Sequence, residues 1–170
     1  VEVKRRSESE RINVPLNIAS HTAISASSGA WLRVSKAVTV QSGKKLTQYG
    51  LGSVTYESTI TLQADAAINF HNSMHPTVLT VGTNAIATID PRGGMSKPAR
   101  VLTLKSLDLA TGAKLDVNDN ALVLDYDTTS PLGTVRSALA TGAIQSGVAA
   151  IQAADPGATY RTGLAYGEAS

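Results

Sequence analysis

Residues 31–62 read Trp31-Leu32-Arg33-Val34, then Ala37-Val38-Thr39-Val40, Ser42-Gly43-Lys44-Lys45-Leu46, Gly50-Leu51-Gly52-Ser53-Val54-Thr55-Tyr56 and Thr59-Ile60-Thr61-Leu62. Each piece alternates apolar with polar side chains over four or five positions. That period of two belongs to a strand with one buried face. The pieces are too short and too closely spaced to be joined by helical crossovers. They are separated by glycine, serine and lysine, and no Asn-Gly or Asp-Gly dipeptide is present to make a two-residue hairpin.

Working outward, one small pattern recurs. A residue that tolerates positive φ is followed by a small residue and then by an alternating pair. The copies are Gly29-Ala30-Trp31-Leu32, Gly43-Lys44-Lys45-Leu46, Asp65-Ala66-Ala67-Ile68, Asn84-Ala85-Ile86 and Gly112-Ala113-Lys114-Leu115. Repeats of this size mark units that bury their faces on their neighbours. Composition agrees. Hydrophobic residues make up 42% of the 170 residues but aromatics only 4%. The interior must therefore be a thin stack of valine, isoleucine, leucine and alanine. These features predict an all-β chain, a parallel β-solenoid or β-helix, with about five or six coils of ~20 residues. The general rule for parallel crossovers makes it right-handed.

The expected organisation has three parts. Residues 1–13 form an N-terminal linker or cap, 14–127 the solenoid, and 128–170 a helical cap with a final strand. Ser130 is read as an N-cap, Pro131 as the first helical residue, and Leu132, Val135 and Leu139 as one helical face closed by Gly142. A weaker helical patch runs from Ser146 to Ala154, and Tyr160 to Tyr166 is read as a last strand. A helix across open strand edges would guard them against aggregation. Asn72–Pro76 and Pro91–Pro98 interrupt the strands as loops. The predicted core is Leu32, Val34, Val38, Val40, Leu46, Val54, Ile60, Leu62, Leu115, Val117, Leu122 and Leu124.

Charged residues are 16% of the chain, below the roughly 25% of an average domain. Serine, threonine, alanine and glycine cover the surface instead, a composition that suits an extracellular protein. The net charge is +2, and Lys4, Arg5, Arg6 and Arg11 lie among Glu2, Glu8 and Glu10. A mixed-sign segment of that kind reads as a solvated tail, so nucleic acid is not an expected partner. There is no cysteine, hence no disulfide or thiol chemistry. No apolar run approaches the ~20 residues of a membrane span. The chain starts at Val1 and has no signal peptide pattern, so it is read as part of a longer or processed chain whose other domains are its natural partners.

Leu46-Thr47-Gln48-Tyr49-Gly50-Leu51-Gly52-Ser53-Val54-Thr55 resembles the autotransporter-associated β-strand repeat of bacterial surface proteins, in which the position of Gln48 is usually lysine. The segment Lys114 to Tyr126, followed by Ser130-Pro131-Leu132-Gly133-Thr134-Val135-Arg136, Ala154-Asp155-Pro156-Gly157 and Gly163 to Ala169, is similar to the C-terminal end of solenoid regions in large secreted bacterial proteins. In that group a dockerin-like segment often follows. The resemblance implies a secreted, structural or adhesive role at the cell surface.

Chemistry is sparse by comparison. Asp116, Asn118, Asn120 and Asp127 stand at positions 1, 3, 5 and 12 of a calcium loop, but Ala121 occupies the place of its required glycine. The favoured reading is a turn whose amides these side chains satisfy. His71 and His75, with His21, could share a metal, but Pro76 argues against a helix there, and surface histidines are the favoured reading. Asp108 with Asp116, or Lys105 with Lys114, could neighbour each other as acid–base groups of a polysaccharide-cleaving solenoid. No Gly-x-Ser-x-Gly elbow or phosphate-binding loop occurs. The sequence is therefore read as non-enzymatic, with no catalytic residue, cofactor or metal assigned. A rigid structural module of a fibre or surface layer, able to self-associate, is the first expectation. An adhesin or glycan-binding module comes second, with Trp31, Arg92 and Lys97 as possible ligand contacts.

Overall fold

The computed structural model describes residues 2–3, 10–93, 97–159 and 163–168. In chain order the strands are β1 (Glu2–Val3), β2 (Glu10–Ile12), β3 (Leu16–Ile18), β4 (Thr22–Ala26), β5 (Trp31–Val34), β6 (Val38–Val40), β7 (Lys45–Tyr49), β8 (Ser53–Tyr56) and β9 (Ile60–Leu62). They continue as β10 (Ala67–Phe70), β11 (Val78–Val81), β12 (Ile86–Ile89), β13 (Val101–Leu104), β14 (Ser106–Leu109), β15 (Lys114–Asp116) and β16 (Ala121–Leu124). Helix α1 (Leu132–Ala140), β17 (Ile144–Gln145) and α2 (Gly147–Ala154) complete the set.

All these strands pair in parallel, each with its counterpart one coil away. One sheet has seven strands in the order β1-β4-β7-β10-β12-β15-β17, and a second has five in the order β14-β11-β9-β6-β3. The third side of the coil is shared by β2-β5-β8 and β13-β16. Met74 bridges to Leu102 between them and is all that remains of a strand in that coil. The chain is thus a β-solenoid of about five turns. The stack already includes Glu10–Ile12, paired on β5, ahead of Val14.

Registers show how the interior is built. Val38 sits on Leu16 and under Ile60, and Ile60 pairs with Leu79, which pairs with Leu107. Leu46, Ile68, Ala87, Leu115 and Ile144 form a second column. Every residue of these columns from Val38 to Leu79 and from Leu46 to Ile144 is buried. Ten of the twelve predicted core residues are fully buried, while Leu122 and Leu124 are half-buried against that core. The two lie on β16 at the end of the stack, where no further coil covers them.

The corners follow from the recurring turn residue. Gly29, Gly43, Asp65, Asn84 and Gly112 all adopt positive φ, between 55° and 76°. Ala30, Ala66, Ala85 and Ala113, each next in line, are buried. The corner amides bond to the coil above, Gly43 to Ala64, Asp65 to Thr83 and Asn84 to Thr111. Gly142, at 71°, repeats the device once more, followed by Ala143 and the buried Ile144.

That last corner explains the helix. Helix α1 enters the coil after β16 and leaves through Gly142 into β17, so it occupies the place of a strand beyond β14. Val135, Ala138 and Leu139 pack on the core. The Ser130 hydroxyl accepts the Leu132 amide, although Pro131, with φ −80°, is the boundary residue. Ser146 caps α2 by accepting from the Ala149 amide. The expected strand at Tyr160 to Tyr166 is not formed over residues 163–166, and 160–162 lie outside the described residues. Tyr166 instead lies by α1, where the Arg136 guanidinium donates to its hydroxyl at 3.0 Å. The strand of this region is Ile144–Gln145, whose two residues carry too little alternation to be seen in sequence.

Two glycines separate turn strain from collision. Gly43 has φ +66° with open space where a Cβ would stand. Gly50 has φ +104°, and its Cβ would run into the Ala26 backbone. We expect Gly43→Ala to cost about 1–2 kcal/mol in urea unfolding, the strain of a left-handed residue alone. Gly50→Ala should cost clearly more, and equal losses would show that the coil contact at Ala26 is unimportant.

Candidate functional site

The outer face of β5 and β8 carries a dense polar arrangement. Strand alternation turns Leu32 and Val34 inward and leaves Trp31 and Arg33 outside. Register then places Arg33 between Arg11 and Thr55, and Trp31 beside Ser53. The Trp31 indole N–H donates to the Thr55 hydroxyl at 3.2 Å, which fixes the ring. The Arg33 guanidinium stands 6.0 Å from the ring centre, within cation–π range.

Glu57, just after β8, gathers the charges. Arg33 Nε donates to it at 2.6 Å, a second Arg33 nitrogen also bonds it, and the Ser35 hydroxyl donates at 2.9 Å. Arg11 reaches the same carboxylate at 3.5 Å. The Arg33 hydrogen bond, then that of Ser35, holds the Glu57 carboxyl below its ordinary value of 4.5.

A second polar cluster sits between β12 and β13, around residues 90–93 and 97–100. Arg92 donates to Asp119 from its amide at 2.8 Å and from Nε at 3.2 Å. Burial pushes the Asp119 carboxyl up, but the two Arg92 bonds, its own backbone amide and the Arg92 charge together hold it below the usual range. Arg100 clamps the same loop through the carbonyls of His71, Asp90 and Pro91. Asn120 accepts from the Arg100 amide and donates to the Asp90 and Val117 carbonyls. His71 Nδ1 lies 2.9 Å from the Asp90 carboxylate. This cluster pins the base of the loop, so Arg92 is a structural anchor here. Lys97 is exposed farther along the loop.

The other residues singled out from sequence separate. Asp116 accepts from the Asn118 and Gly147 amides, both at 2.9 Å. Asn118, with φ +50°, donates to the Ile89 carbonyl at 2.7 Å. Asp127 lies apart from them and pairs with Lys105 at 2.5 Å. Asp116, Asn118 and Asn120 thus share a turn and spend their oxygens and amides on backbone, while position 12 of the supposed loop is elsewhere. Among the described residues no group of three or more histidines and carboxylates gathers as metal ligands, and His21, His71 and His75 do not converge. Asp108 belongs to the five-stranded sheet and Asp116 to the seven-stranded one, so they stand on different walls. Lys105 sits at the corner between β13 and β14 and pairs with Asp127, whereas Lys114 lies on β15 and reaches Gln145 at 3.4 Å. Sequence adjacency of β14 and β15 suggested neighbours, but a corner lies between them.

Inside the coil two polar atoms were missed by sequence reasoning. Gln48 aligns with Ile24 in an otherwise apolar column and donates to the Val54 carbonyl at 3.3 Å. Its Oε1 and the Tyr56 hydroxyl are buried without a partner. Burial drives the Tyr56 phenol far above its ordinary range, so it stays neutral. Alternation within β7 and β8 was the available signal, since it turns both side chains inward.

Comparison with known proteins finds no matching family model, no matching curated protein and no matching solved structure.

Two outcomes follow. Folding lowers the Glu57 carboxyl, so its contribution to stability is present above about pH 4.5 and fades as pH falls through the lower folded value. The gap between the wild-type chain and Glu57→Gln in urea unfolding should be about 1 kcal/mol or less at pH 7 and should narrow steadily as pH falls below 4.5. A gap that persists in acid would mean that the carboxylate charge is not what Arg33 and Ser35 recognise. Replacing the Tyr56 orphan, in Tyr56→Phe, should leave stability nearly unchanged or raise it, because no hydrogen bond is broken there. A loss above about 2 kcal/mol would show that the hydroxyl is partnered in solution.

Proposed function

We propose that the chain is a non-catalytic structural module of an extracellular surface or fibre protein, a stiff spacer between other parts of a longer polypeptide. The observation that carries this reading is the seven-stranded parallel sheet whose columns run in register from β1 to β17. At about 4.8 Å per strand such a stack spans roughly 30 Å, with each rung hydrogen-bonded to both neighbours. Length then depends on coil number alone, which is what a spacer requires. The low charge, the threonine- and serine-rich wall and the resemblance to autotransporter-associated repeats support a place outside the cell. Among the described residues no helix is long and apolar enough to cross a membrane.

A coil-duplication series tests the spacer role. Residues 37–58 make one coil by the register of Val38 on Ile60. Each added copy should lengthen the particle by about 4.8 Å in small-angle scattering at constant cross-section. Copies that widen the particle, or that loop out without extending it, would defeat the reading. So would release of new sugar ends when the purified chain is incubated with a panel of polysaccharides.

A further inference from the structure

The spacer reading leaves one feature of the wall unused. Trp31 is 50% exposed, although it is the chain's one tryptophan and shares the outer face of its sheet with Arg11, Arg33, Ser53 and Thr55. Its ring is held by Thr55 and flanked by Arg33, so it does not sweep freely. Leu51, 87% exposed, stands at the corner leading into Ser53, the register partner of Trp31. A flat, fixed apolar surface therefore borders a set of polar groups of mixed type.

Those polar groups indicate what would cover it. Among the described residues Arg11 and Arg33 share one carboxylate, Glu57, which leaves them an excess of positive charge. The carboxylate and the hydroxyls of Thr55 and Ser35 accept hydrogen bonds, and the guanidinium groups donate them. The matching ligand has an apolar face, several hydroxyls and a negative charge. A nucleic acid strand offers bases to stack but wants a track of cations and several aromatic platforms, and one tryptophan beside two arginines supplies neither. An acidic peptide offers charge without a flat face.

We propose that the Trp31–Arg33–Glu57 face of the solenoid is a binding site for acidic polysaccharide, with a sugar ring stacked on the Trp31 indole and its carboxylate directed to Arg33 and Arg11. Pre-organisation of the ring by Thr55 lowers the ordering cost of binding. The charge term makes the affinity fall with salt. This inference is independent of the spacer reading, and its failure leaves the coil-duplication experiment untouched.

With one tryptophan in the chain, intrinsic fluorescence reports on this site alone. Titration of the wild-type protein with an oligogalacturonate should shift the emission saturably and more weakly as salt rises. Cellohexaose, a thymidine oligonucleotide and polyglutamate serve as the neutral, nucleic acid and acidic peptide arms, and each should bind at least about tenfold more weakly. By calorimetry, Trp31→Ala should weaken oligogalacturonate binding about tenfold or more, while Trp31→Phe retains most of it. Thr55→Val, which frees the indole while leaving it in place, should fall between them. Matched unfolding curves for the variants separate lost binding from lost fold. No saturable response to oligogalacturonate, an equal response to any other arm, or full affinity in Trp31→Ala would overturn the proposal.

Discussion

Everything in this molecule rests on side chains stacking on their own counterparts one coil away. In a parallel register each inward position sees the same position above and below. A column can therefore hold only residues whose shapes tolerate direct superposition. Val38 under Ile60 under Leu79, and Leu46 under Ile68 under Ala87, meet that condition. Each fully buried aliphatic side chain contributes roughly 1.5–3 kcal/mol, and no rung is stable without its neighbours. The near absence of large aromatics is a direct result, because the interior is too narrow for more than an occasional one. Tyr56 and Phe70 share such a spot and meet edge to face.

The same constraint sets where the chain bends. Three walls need three corners per coil, and from β7 onward the corner into the seven-stranded sheet places one residue in the left-handed region, whereas those after β5, β8 and β13 turn without it. Glycine reaches it without strain, and asparagine and aspartate at modest cost. Corner residues must also stack, so the alanine that follows is buried in turn. Residues 90–93 and 97–100 show what happens when a corner is expanded. These stretches lie outside the strands and are tied down by Arg92, Arg100, Asp119 and Asn120.

Termination obeys the constraint as well. A strand at the end of the stack presents unpaired amides and half-covered apolar side chains, as Leu122 and Leu124 do. Helix α1 satisfies its own backbone internally, so it can occupy a strand's place without offering an edge. Glu168 then links the Tyr126 and Ser130 hydroxyls, holding the following segment against the start of the helix. Outward positions carry none of this burden. The wall is free to vary, which is why an arrangement such as Trp31, Arg33 and Glu57 stands out on it.

Much of the architecture was legible in the residues themselves. Period-two alternation, irregular repeats headed by Gly, Asp or Asn, and an aliphatic, aromatic-poor composition together imply stacked parallel coils, since each is a local consequence of the column rule. The helix at Leu132–Ala140 was legible for the same reason, through its own 3.6-residue period. What lay outside that reach depends on coil offset, a quantity no local pattern contains. Which wall a residue occupies decided that Asp108 and Asp116 stand apart, that Asp127 joins Lys105, and that Arg11, Arg33 and Glu57 meet. Sequence neighbours in a solenoid are separated by corners, while residues a whole coil apart touch. The interior could be read from periodicity alone, whereas the surface chemistry was settled only when the coils were set in register.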